Sequence, residues 1–339
     1  MTRSDRLVRV PWAAVAAFVV LSFGLAWGVS LPLWLTGGPQ SPLLGTWLPV
    51  LGAVMMFTPA VATLVVVLGM RVPRGERLRF LGMWPLRPAK RVVWFTVAAL
   101  LAPPLIIAAG LFLSAALGFT RLDLVGFSGF AAFLDAQLAA LDPALREQAG
   151  ELPPIGLLVA IQLLSIPLGG LANSLFAFGE EIGWRGWLLP ALLPLGTWPA
   201  LLISGVIWGL WHSPLILLGY NFGFIDGRGV ALMVGGCLAW GALLGWARLR
   251  SGSVWPAVVG HGALNAAAGL GMLLVASGAE MPMWLVGPLG MVVWVVVAVV
   301  VVVLALFGQF REQPELASRP LTRPSTRPAD PHAGEANGH

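Results

Sequence analysis

Runs of about twenty apolar residues recur eight times along the chain, near 11–35, 46–70, 93–118, 155–179, 198–219, 230–247, 254–277 and 283–308. A helix needs roughly 20 such residues to cross the hydrocarbon core of a bilayer. In lipid the backbone must satisfy its own polar groups, so runs of this kind fold as helices. The expected fold class is therefore all-α: a polytopic membrane bundle of about eight transmembrane helices, spanning 1–308. Composition agrees, with 58% hydrophobic and 10% charged residues and a mean hydropathy of +0.86, where a soluble domain carries about 25% charged residues. The first run follows Arg3, Arg6 and Arg9, but it exceeds the roughly 7–15 residues of a signal-peptide core and reads as a retained helix.

The net charge of +5 does not point to nucleic acid, because the basic residues sit in short segments between apolar runs. That distribution reports membrane topology. With the N-terminus inside and eight crossings, all of the 20 basic residues except Arg121, Arg146 and Arg228 fall on the cytoplasmic side. The expectation is a multi-pass protein of the cell membrane with both termini cytoplasmic. Basic loops of this kind also attract anionic lipid head groups. Segment 119–153 is acidic, and Phe127 to Leu141 reads as a short helix at the membrane surface. The uncharged stretch 187–196 reads as a broken or re-entrant piece. From Gln309 onward the chain is rich in Pro, Arg, Ser and Thr, the composition of a disordered tail. The single cysteine, Cys237, excludes an internal disulfide and a multi-cysteine metal cluster.

Against this background a few polar side chains stand out. Phe178-Gly-Glu-Glu-Ile-Gly-Trp-Arg-Gly-Trp187 places Glu180, Glu181 and Arg185 at the end of the fourth run. His212 lies within the fifth run, and His261 and Asn265 within the seventh. Ionisable groups in the hydrocarbon region cost at least about 2.5–3.5 kcal/mol on insertion scales, which makes each a candidate functional residue. Taken singly, each has a structural reading as well. Glu181 and Arg185 are four apart and form an intrahelical ion pair. A lone intramembrane His or Asn is often interhelical glue, worth about 0.6 kcal/mol. Glu180 has no partner on its own helix, and a turn of about 100° per residue aims it at a different neighbour from Glu181.

Together, a Glu, two His and an Asn from three separate runs suit hydrolysis. A carboxylate in a dry site is a better general base towards water. A neutral imidazole shares that proton or ligates a metal, and a His with an Asn one turn away donates to an oxyanion. Alternatively, Glu180, His212 and His261 are enough for a zinc site with an open position for water. No His-Glu-x-x-His occurs, so the helical zincin arrangement is excluded.

Glu180-Glu181-x-x-x-Arg185, then Trp208-x-x-x-His212, then His261-x-x-x-Asn265, on successive apolar helices, resemble the three motifs of the CPBP family. These are the CAAX-processing and bacteriocin-processing intramembrane proteases, also called the Abi family and related to the Ras-converting CAAX endopeptidase. The resemblance covers residues 178 to 268, with Trp208 where the family usually has phenylalanine. It implies an intramembrane endopeptidase acting on a peptide or membrane-anchored protein, in a bundle whose conical cavity opens to the cytoplasmic side. Glu180 and His212 would activate water, His261 and Asn265 would hold the oxyanion, and Glu181 and Arg185 would organise the site. The resemblance allows both a zinc-dependent and a metal-free, glutamate-dependent mechanism. Two other functions fit a membrane bundle of this kind: a non-catalytic immunity or scaffolding protein, and a proton-coupled transporter using the Glu/His cluster as a relay. The absence of internal repeats argues against the last.

Overall fold

The computed structural model describes residues 7–144 and 152–311. The expectation of a disordered tail falls almost wholly outside the described residues. The main helices are α1 (Trp12–Leu35), α2 (Leu44–Met55), α3 (Thr58–Leu64), α4 (Ala89–Ala116), α5 (Ser128–Ala139) and α6 (Ile155–Glu181). They continue with α7 (Thr197–Trp211), α8 (Gly227–Ser251), α9 (Trp255–Ala266) and α10 (Met291–Leu306). Among the described residues, seven segments are long and apolar enough to cross a membrane: Trp12–Leu35, Leu44–Gly69, Ala89–Ala116, Ile155–Leu195, Gly227–Ser251, Trp255–Leu274 and Met283–Leu306. The protein is a multi-pass all-α membrane bundle. The short helix expected near 127–141 forms as α5.

Two expected spans differ from the sequence reading. The fifth, near 198–219, is the 15-residue α7, about 22 Å long and short of a hydrocarbon core about 30 Å thick. It stops because Pro214, lacking an N–H and crowding the preceding backbone, interrupts the ladder just beyond His212. The fourth does not end at 179. Helix continues as a π turn over Ile182–Leu188 and a further α and 3-10 turn to Leu195, with every residue from Gly179 to Leu193 buried. The π turn lies immediately before Pro190, whose ring cannot donate to the ladder. Segment 187–196 is thus a packed helical continuation, not a re-entrant break, and Gly196 at φ 101° turns the chain back into α7.

Close helix approach is bought with small residues, as is usual where no hydrophobic effect drives helices together in lipid. Gly205 and Gly209 on α7 face α8, where an added Cβ at Gly209 would lie 2.5 Å from Val234 Cα. Gly170 on α6 meets Ala263 of α9, and a Cβ at Gly262 would lie 2.4 Å from the Gly170 carbonyl oxygen. That contact brings the acidic pair and His261 within reach of one another.

The two ends of the bundle are distinct. At one end Trp187 Nε1 donates to the Val72 carbonyl, Arg248 to the carbonyls of Arg185 and Phe80, Ser253 Oγ to that of Gly82, and Trp255 Nε1 to that of Met83. Both described chain ends lie here, with Phe18 stacked on Trp187 and Phe310 on Trp198. At the other end the segment after α4 bridges to the segment before α10, Leu122 pairing with Val275 and the Asp123 N–H donating to Leu274. Asp123 accepts from Ser128 and from the N–H groups of Gly126 and Val125, which holds its carboxyl well below the usual carboxylate range.

Gly262→Ala is expected to destabilise the bundle by about 1–3 kcal/mol, because backbone on the facing helix cannot yield to the new methyl. Thermal unfolding in detergent checks this, with Gly45→Ala, which meets nothing within 4 Å, as the neutral control.

Candidate functional site

Glu180 and His212 each stand 16 residues from Gly196, on the descending and ascending arms of one helical hairpin. The arms are tied together at this level by the Trp208 indole on Glu180, and both residues line one cavity.

Glu180 is 2% exposed. Its Oε2 accepts from the indole N–H of Trp184 on its own helix at 3.3 Å and of Trp208 on α7 at 2.6 Å. Its Oε1 has no hydrogen bond among the described residues, and the residue lines the cavity described below. Glu181, one step round the helix and fully buried, turns the other way. Its Oε1 accepts from the Arg185 guanidinium at 2.7 Å and from His261 Nδ1 at 2.9 Å, while its Oε2 is buried without a partner. The expected i,i+4 pair is therefore present and reaches across to α9. The Trp208 indole also carries the Arg185 guanidinium on its face, 4.0 Å from the ring centroid, and meets the His261 ring edge to face at 5.4 Å.

His212 Nδ1 lies 2.8 Å from the Trp208 carbonyl oxygen. A carbonyl can only accept, so Nδ1 carries the proton and Nε2 keeps its lone pair. His261 Nδ1 likewise donates to the Glu181 carboxylate, which leaves Nε2 free of that contact: an acceptor in the neutral ring and a donor in the imidazolium. Cys237 is buried, its Sγ 3.9 Å from His212 Nδ1.

Glu180, His212, His261 and Asn265 all line one cavity of about 430 Å³. Glu181 and Arg185 lie behind it. Among the described residues, no three His, Cys, Asp or Glu side chains gather closely enough to hold a metal ion. In this arrangement Glu180, His212 and His261 share a cavity without forming a ligand set, so no step below is routed through a metal.

All three motifs fall within residues 162–267, which match the family described as Rce1-like, the type II CAAX prenyl endopeptidases. Over that stretch, about a third of its length, the chain is similar to the CAAX proteases. These are endopeptidases. No curated protein matches the chain.

Some features of the site escaped the sequence reading. Trp184 is four residues after Glu180, so helical spacing alone places its indole over the carboxylate. Trp208 reads from sequence as an aromatic wall; its N–H makes it a donor to Glu180, which phenylalanine cannot be. Asn173 and Tyr220 also line the cavity, with nothing in their local sequence to mark them.

The cavity's position departs from expectation. Its lining comes from Leu48 to Met56, from Asn173 and Phe176 above Glu180, from Trp208 to Phe222, and from His261 to Ala268. Met233, Met283, Pro288 and Leu289 complete it. Apart from Trp208 and Trp211, which lie close to the level of Glu180, these residues lie on the side of Glu180 away from the chain ends. A cavity open to the cytoplasm and cytoplasmic termini were both expected; in the structure the two lie at opposite ends and cannot both hold.

Trp208→Phe keeps the ring and removes the 2.6 Å hydrogen bond. Hydrogen bonds to charged groups contribute about 1.5–3 kcal/mol, so turnover is expected to fall about one to two orders of magnitude with the fold intact. Single-turnover cleavage beside a melting curve measures both.

Proposed function

We propose that this protein is an intramembrane endopeptidase that hydrolyses a peptide bond of a membrane-associated substrate, with Glu180 as general base. The observation that carries the reading is the asymmetric environment of Glu180. Two indoles hold Oε2 in place, and the other oxygen belongs to a side chain at the wall of a cavity large enough for a peptide segment.

A water between Glu180 Oε1 and the scissile carbonyl would give its proton to the carboxylate as its oxygen bonds the carbonyl carbon. The electron pair of the C=O bond moves to oxygen. His261 and Asn265 stand on one face of α9, one turn apart; the imidazolium form of His261, with Nδ1–H on Glu181, offers Nε2–H beside the Asn265 amide as donors to that oxyanion. Collapse re-forms the carbonyl, breaks the C–N bond, and the proton passes to the leaving amine. His212 Nε2, unprotonated because Nδ1 is committed to the Trp208 carbonyl, is suited to hold the attacking water or relay the proton.

Glu181 and Arg185 fit an organising role. Arg185 neutralises one of two adjacent carboxylates, and its contact with Glu181 fixes the acceptor that orients His261. An unpaired buried charge is strongly destabilising, so this pair supports the fold and the orientation of the site together. Zinc held by Glu180, His212 and His261 is the competing form of the mechanism, and it predicts sensitivity to chelators with recovery on adding zinc.

The test is cleavage of a panel of membrane-anchored peptides by the full-length protein in detergent or lipid. Glu180→Gln is expected to lose about 10²–10⁴ in rate as a lost general base, and His212→Ala to fall with it. Asn265→Ala is expected to lose about 10²–10³ as a lost oxyanion donor. All variants should retain wild-type melting behaviour. Cellular function left unchanged by all three substitutions would point instead to a non-catalytic scaffold of the same fold.

A further inference from the structure

We propose that the cavity opens on the non-cytoplasmic face of the membrane, so that the peptide segment cut by this protein lies on that side. The substrate part of this rests on the protease reading; the direction of opening does not.

Three observations converge. First, the bundle's ends differ in charge. At the end that holds the chain ends, the loop 71–91 carries Arg71, Arg74, Arg77, Arg79, Arg87, Lys90 and Arg91 against one acid, Glu76. At the other end, the described connections carry Arg121 and Arg228 against Asp123, Asp135, Asp142, Asp226 and Glu280. There Arg228 is itself paired with Asp226 at 2.9 Å. An excess of Lys and Arg in short loops marks the cytoplasmic side, and 71–91 is a short loop between spans.

Second, the basic end is closed beneath the carboxylates. Residues 179–193 are buried without a gap, Trp184 and Trp187 completely. Arg248, also fully buried, ties this segment to the loop through the carbonyls of Arg185 and Phe80. A peptide arriving from that side would have to displace this whole layer.

Third, exposure rises along the cavity wall in the opposite direction. Glu180, Trp208 and His261 at its base are buried, Leu48 and Met283 are half-buried, and Pro49, Tyr220 and Ala268 towards the acidic end are exposed. The residues around the carboxylate are closed off, and exposed lining residues lie on the side away from the basic loops.

The substrate class that follows is a membrane-anchored polypeptide with a translocated tail or loop beside the bilayer. A lipid-modified C-terminus confined to the cytoplasm would not reach Glu180.

Site-directed thiol labelling of the full chain tests the direction without requiring any proteolysis. In a Cys237→Ala background, Leu264→Cys places a thiol inside the cavity one turn above His261, and Leu48→Cys provides a second probe on a different helix. Arg74→Cys marks the basic loop. A membrane-impermeant maleimide is applied to spheroplasts and, separately, to inverted vesicles, with denatured samples reporting total reactive thiol. The expected result is labelling of both cavity probes in spheroplasts and of Arg74→Cys only in inverted vesicles. Cavity probes labelled only in inverted vesicles, or from neither side while fully reactive after denaturation, would overturn the proposal. So would labelling of Arg74→Cys in spheroplasts. Because the readout is chemical modification, a protein with this access but no hydrolytic activity would give the expected labelling and fail only the cleavage assay.

Discussion

Two neighbouring carboxylates inside an apolar bundle have to be solvated by the protein itself, and much of the architecture around them follows from that need. Glu181 is answered by Arg185 on its own helix and by His261 from α9. Glu180 is answered by two indole N–H groups. Breaking a buried charge pair leaves an uncompensated ion, which is far more costly than the pair is favourable. The arrangement of α6, α7 and α9 is therefore held by electrostatics as well as by packing.

Trp208 joins the two halves of this cluster. Its N–H binds Glu180, its face carries Arg185, its edge meets His261, and its carbonyl fixes the tautomer of His212. Cation–π contact strengthens as water is excluded, and this ring is almost fully buried. One side chain thus joins Glu180 and Arg185 of the Ile155–Leu195 segment to His261 of α9, where phenylalanine would supply the face and edge without the donor.

The backbone makes this possible through absences of side chain. Gly262 and Gly170 let α9 and α6 approach until His261 reaches Glu181, and Gly205 and Gly209 seat α7 against α8. The long Ile155–Leu195 segment passes through the site, widens before Pro190 and turns at Gly196, so that Glu180 and His212 come to line one cavity. The layer below the carboxylates is closed by the same segment, buried from Gly179 to Leu193.

Helical class, seven of the eight expected spans, and the apolar segments that carry Glu180, Glu181, Arg185, His212, His261 and Asn265 were legible in the residue order. The reason is that apolar run length and i,i+4 spacing are one-dimensional quantities which a bilayer and a helix convert directly into structure. The Glu181–Arg185 pair is the clearest example, being complete within one turn. Depth and direction are not of that kind. Whether 187–196 broke or continued depended on burial against the basic loop and α8, and the short reach of α7 depended on where Pro214 fell relative to its neighbours. The donor role of Trp208 depended on a crossing between α6 and α7 that no local spacing encodes. The placing of the cavity beside Glu180 came from how the segments stack, since each span runs from one end of the bundle to the other and only packing decides where along it empty space is left.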